Sequence, residues 1–178
     1  LRSRENGTQY RALMKDAEEW MNVNAIQAFP GMYALLNPRS SGAVLLERNF
    51  PIDMLYFPIL EAALSWDIPF TEIVVVATNQ PDDVHERYRG NDTLYFAELI
   101  KKKVERLNEA IKVRIVNLGK DLGKLEVLYQ QVADELQLSH HLGSKDKVYL
   151  LSQGGIDQVN QALCLQLIRQ FRERLVLL

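Results

Sequence analysis

The chain has 178 residues, 47% of them hydrophobic and 25% charged, with a formal net charge of −2. A chain of that length can bury a full core without disulfides or metals, and its near-neutral balance argues against direct, nonspecific binding of duplex nucleic acid, which needs a strongly basic surface. No apolar run is long enough to span a membrane, and the one cysteine, Cys164, falls in the apolar stripe of the last helix, where it reads as a buried structural thiol, so a cytoplasmic protein is expected.

Taken in chain order, Gly7 to about Asn22 is predicted as a helix, with Tyr10, Leu13, Met14, Ala17 and Met21 on one face. Pro30-Gly31 breaks the chain, Met32 to Leu36 suits a short strand, and Asn37 to Gly42 reads as a turn or loop. A strict alternation follows. Ala43 to Glu47 is predicted as a strand, Ile52 to Ser65 as a helix, and Glu72 to Ala77 as a Val- and Ile-rich strand. Asp92 to Ile111 is predicted as a helix with Phe96, Ile100, Val104, Leu107 and Ile111 on one face, and Val113 to Asn117 as the next strand. Lys124 to Leu138 follows as a helix turning Leu125, Leu128, Val132 and Leu136 inward. Val148 to Ser152 is the fourth strand, and Ile156 to about Leu175 the last helix.

Four strand–helix units with continuous apolar strands predict an α/β fold. The expected form is a Rossmann-like, mainly parallel sheet with helices on both faces, covering residues 43–178 after an N-terminal helical extension and linker over residues 1–42. The chain opens on Leu1 and not Met, which fits an excised part of a longer protein, or ordered pieces of one, with a partner domain missing. In such sheets ligands gather outside the carboxyl ends of the strands. The loops of interest are therefore Arg48 to Pro51, Thr78 to Asn91, Leu118 to Gly123 and Gln153 to Asp157.

The most informative stretch is the last. An apolar strand runs into Ser152-Gln153-Gly154-Gly155, and Ile156-Asp157 opens a long helix. Two glycines at a strand end make a tight structural turn or let a ligand approach the backbone, and the first amides of the following helix favour an anion. Thr78-Asn79-Gln80 after the second strand offers polar side chains suited to purine edges and ribose hydroxyls, although Asn and the following Pro81 are also ordinary turn residues. Asn49-Phe50-Pro51 ends the predicted first strand, where Phe50 either stacks on a base or fills the mouth of the sheet. Asp92-Thr93 reads as a helix cap, and Arg87 and Arg89 are the nearest cations for a phosphate. Lys101-Lys102-Lys103 reads as a solvated face. His140-His141 are adjacent, which is poor geometry for joint metal binding, so no metal and no cofactor is expected. The dinucleotide fingerprint Gly-x-Gly-x-x-Gly, the Walker pattern and the nucleophile elbow Gly-x-Ser-x-Gly do not occur.

Three segments taken together resemble the CARF domains, the CRISPR-associated Rossmann-like sensor domains. They are Val74-Val75-Val76-Ala77-Thr78-Asn79-Gln80, then Asp92-Thr93 leading to Ala97-Glu98-Leu99-Ile100, then Leu151 to Leu163 with its Gly154-Gly155, Asn160 and Ala162. The likeness spans about Ala43 to the end of the chain. It departs from the family at Ile156-Asp157, where Thr-Pro is usual, and at Asn49-Phe50-Pro51, where a small polar or Gly-containing turn is usual. The resemblance implies a two-fold homodimer that binds cyclic oligoadenylate, the messenger of type III CRISPR antiviral defence, over the loops after the first and last strands. Those loops correspond to Asn49 to Pro51 and Gln153 to Asp157. Binding would then control an effector outside this chain, since the HEPN ribonuclease pattern does not occur in it. Two alternatives stay open: a metal-independent ring nuclease, with Thr78, Asn79, Ser152 or Gln153 aligning a ribose hydroxyl, or an unrelated Rossmann-like nucleotide-binding enzyme.

Overall fold

The computed structural model describes residues 38–47, 49, 51–55, 57–137, 142–151 and 156–177. The expected helix over 7–22, the short strand over 32–36, Phe50, His140-His141 and Ser152 to Gly155 lie outside the described residues. The fold is mixed α/β, with short parallel strands in two separate two-stranded sheets. The described residues divide into two compact units. One holds the residues up to Ala77 together with Val84–Ile115, and the other holds Thr78–Asp83 with the chain from Val116 onward.

In the first unit the earliest element corrects the sequence reading. Pro38–Glu47 is a helix, α1, where a loop ending at Gly42 and a strand over Ala43–Glu47 were expected. The expected boundary between residues 42 and 43 therefore falls inside this helix. An apolar run of four residues fits either period. Packing decides it: Gly42 and Leu45, one helical turn apart, are both buried. Gly42 meets Leu94–Leu107, the helix α4, where a β-carbon on Gly42 would stand 2.7 Å from the Tyr95 β-carbon. Between these helices the expected single helix over Ile52–Ser65 is broken. Ile52–Met54 is a 3-10 turn, Leu55 is extended, and Pro58–Leu64 forms a short helix, α2. The break follows from Pro58, which excludes Phe57 from the helical region and suits the first helical turn itself. Phe57 N donates to Glu61 Oε1 at 3.2 Å across that start.

Glu72–Thr78 forms β1 and Lys112–Leu118 forms β2, as read from their Val- and Ile-rich runs. They pair in parallel: Lys112 N donates to Thr71 O at the start (3.0 Å) and Asn79 N to Leu118 O at the end (3.0 Å). Between them lie the short helix Glu86–Arg89, α3, and α4. The inward face of α4 is Ala97, Leu99, Lys103 and Val104, while Leu107, expected inward, is 52% exposed. Lys103, expected in solvent, is buried. Its ammonium donates to the carbonyls of Ile52 (3.5 Å) and Asp53 (3.3 Å) and pairs with Glu61 at 3.7 Å. A lysine stem covers apolar surface here while its head reaches two carbonyls of the 3-10 turn.

Asp92 is also corrected. It is not the cap of α4; that position is Thr93, whose side chain makes no capping bond. Asp92 is instead buried at 1% exposure, with its carboxylate 3.1 Å from the Arg39 guanidinium. Arg39 also donates its backbone amide to Gly90 O at 3.1 Å, so the start of α1 clamps the segment before α4 twice.

In the second unit Leu125–Leu136 forms α5, with Leu128, Val132 and Leu136 buried as expected and Leu125 half-buried. It packs on Asp157–Phe171, α6, whose buried residues Val159, Ala162, Leu163, Gln166, Leu167 and Phe171 form one helical stripe. Gln166, the polar member, donates to Tyr129 O at 2.8 Å. Cys164 borders the stripe and is half-buried, not fully buried. Arg169 donates to the Tyr129 hydroxyl at 3.2 Å, a bond that raises its pKa further above the ordinary arginine value.

Val148–Leu150 is β3, shorter than the expected strand to Ser152. The last helix ends at Phe171 and not near Leu175, because Arg172 leaves the helical region for a positive φ (43°). After a 3-10 turn, Leu175–Leu177 forms an unexpected strand, β4, pairing in parallel with β3 in the register Val148–Leu175, Tyr149–Val176 and Leu150–Leu177. The segment β3–α6–β4 is thus a strand–helix–strand crossover unit. Arg174 secures it, donating to Gly143 O at 2.7 Å with its guanidinium 5.3 Å from the Phe171 ring centroid.

Candidate functional site

The second unit contains the end of β1, the loop after β2 and the start of α6. Because β1 and β2 are parallel, their carboxyl ends lie side by side. Thr78, the last residue of β1, is buried, and Asn79 and Gln80 beyond it are half-buried. The Asn79 amide bonds back to Leu118, so the chain leaves both strands as a pair. The residue after Leu118 is Gly119, packed so closely on the Asn79 carbonyl oxygen that a β-carbon there would collide with it. This position requires glycine for approach.

Three residues of this site were not singled out by sequence reasoning: Gly119, Lys120 and Gln131. The amides of Gly119 and Lys120 donate to Gln131 Oε1 at 3.3 and 3.2 Å, and Gln131 Nε2 donates to the Lys120 carbonyl. Asp121 then adopts the left-handed conformation (φ 47°) and turns the chain toward α5. Its carboxylate pairs with Lys124 at 3.2 Å, and its carbonyl accepts from Lys124 N at 2.8 Å. The loop from Leu118 to Gly123 was legible as a strand end. Gln131 was not, because it acts eleven and twelve residues from its partners.

The expected site residues divide. Asn79 and Gln80 meet Gly119, and Thr78 precedes them as the last residue of β1. Ile156 is the residue before α6, and Asp157 is its exposed first residue. A carboxylate in the first turn already complements the helix dipole and weakens that helix end as an anion site. Asn49 and Pro51 belong to the other unit. They follow a helix and not a strand, which overturns the premise on which they were placed at a sheet edge. Asn49 is exposed with φ 50°, and its amide donates to Leu46 O at 3.2 Å, closing the end of α1. Pro51 is exposed before the 3-10 turn. Arg87 and Arg89 lie on α3, also in the other unit. The exposed Lys120 is a cation on the loop that touches Asn79.

Chemically, this arrangement offers a hydroxyl, two carboxamides and an ammonium on a tightly bonded backbone, a set suited to holding base edges, ribose hydroxyls and phosphate. Among the described residues no three His, Cys, Asp or Glu side chains gather in a set that would hold a metal ion, and no helix is long and apolar enough to cross a membrane. Compared with protein-family models, curated proteins and solved structures, the chain matches none.

Proposed function

We propose that this chain is a sensor domain for cyclic oligoadenylate that works as a homodimer and controls an effector outside itself. The proposal includes the finer fold, a Rossmann-like arrangement with helices on both faces of the strands, and membership in the CARF group suggested by Val74–Gln80 and Leu151–Leu163. The observation that carries it is the junction of Thr78-Asn79-Gln80 with the Gly119 loop at the carboxyl ends of two parallel strands, the edge where nucleotides bind in α/β folds. The β3–α6–β4 crossover adds a second parallel strand–helix–strand unit of the kind from which such folds are built. A ring of identical adenylates suits a two-fold pocket, since each half presents the same groups to the same loops. Signalling would follow from a shift in dimer population on binding.

The test is to incubate the chain with labelled cyclic tetra- and hexa-adenylate, measure retention and ligand integrity, and determine its mass in solution. A dimer that retains an intact ring supports the sensor. Linear adenylates formed without added metal convert the reading to ring nuclease, and a monomer that retains neither ring contradicts it.

A further inference from the structure

We infer that Gln131 is a positioning residue of this site, holding the loop Gly119–Asp121 so that Lys120 serves as the cation for a phosphate of the bound nucleotide. The inference rests on the cyclic oligoadenylate reading. One carboxamide on α5 satisfies three backbone groups of the loop after β2. Three bonds from one side chain fix that backbone far more firmly than a single cap would. Gly119 is pressed on the Asn79 carbonyl, so the loop Gln131 holds is also the wall of the β1 end. Of the two lysines on this turn, Lys124 is neutralised by Asp121. Lys120 is exposed, and among the described residues no carboxylate pairs with it. A phosphate at the carboxyl ends of β1 and β2 needs a cation, and Lys120 is the exposed lysine on the loop packed against Asn79. A loop fixed before the ligand arrives loses less freedom on binding.

The experiment is a double-mutant cycle on cyclic tetra- and hexa-adenylate affinity, using Lys120→Gln, Gln131→Met and the double variant, with amide hydrogen exchange at Gly119 and Lys120 recorded for each chain. Lys120→Gln is expected to weaken binding about tenfold and Gln131→Met about fivefold, with faster exchange at both amides in the latter. The double variant is expected to bind no worse than Lys120→Gln alone, because a displaced lysine has little left to lose. A purely structural Gln131 would not produce that coupling. Wild-type binding with unchanged affinity in Gln131→Met, unchanged exchange, or losses that simply multiply overturns the inference while leaving the sensor reading in place. A wild-type chain that binds neither ring overturns both.

Discussion

Gly119 lies against the carbonyl oxygen of Asn79 with no room for a β-carbon between them. The two residues leave neighbouring parallel strands, and Asn79 N is bonded to Leu118 O at 3.0 Å. The missing side chain at position 119 is what lets the two strand-end loops close on each other.

Gly119→Ala must therefore push these loops apart. It is expected to cost about 1–3 kcal/mol of stability through local overpacking and to abolish ring binding. Gly123, in the same loop, has nothing within 4 Å of where a β-carbon would sit, and Gly123→Ala should change stability by less than about 0.5 kcal/mol. Thermal unfolding of the two variants side by side checks the contrast.

Arg39→Met removes the cation beside the buried Asp92 carboxylate. Breaking a fully buried pair costs about 3–5 kcal/mol, and because the Arg39 side chain is 27% exposed, a loss of about 2–3 kcal/mol is expected. Combining it with Asp92→Asn should recover part of that loss, since the buried charge that Arg39 faced is then removed. Denaturant midpoints for the two single variants and the double variant measure it. Equal additive losses would show that the pair is not what holds the segment before α4 to α1.

Lys103→Met keeps the apolar stem but leaves the carbonyls of Ile52 and Asp53 and the Glu61 carboxylate without their ammonium. A destabilisation of about 1–3 kcal/mol is expected. Lys102→Met, one position earlier in the same lysine run, should fall within about 0.5 kcal/mol of wild type. Urea unfolding of both variants decides whether the buried lysine is structural.

Much of the architecture was legible where a segment carried its own period. β1 and β2 show as Val- and Ile-rich runs, and α5 and α6 as stripes such as Leu128–Val132–Leu136 that need no distant partner to be recognised. The break at Pro58 is local, but most other misreadings turn on a partner far along the chain. Ala43–Glu47 is apolar enough for a strand, but Gly42 and Leu45 are drawn into a helix by α4, some fifty residues later. Asp92 looks like a cap until Arg39 is found beside it. Leu175-Val176-Leu177 continues the apolar pattern of α6, and only the positive φ at Arg172 and the register with β3 separate it as a strand. At the site, Thr78 to Gln80 could be read from position after a strand, whereas Gln131 acts through tertiary contact alone.

The most direct test of the central claim follows backbone amide signals while cyclic hexa-adenylate, then cyclic tetra-adenylate, is added to the wild-type chain. The account expects one of the rings to shift or protect the amides of Thr78–Gln80 and Gly119–Asp121 together. A ring that binds but perturbs only amides elsewhere, or the absence of any change with both rings, would contradict it.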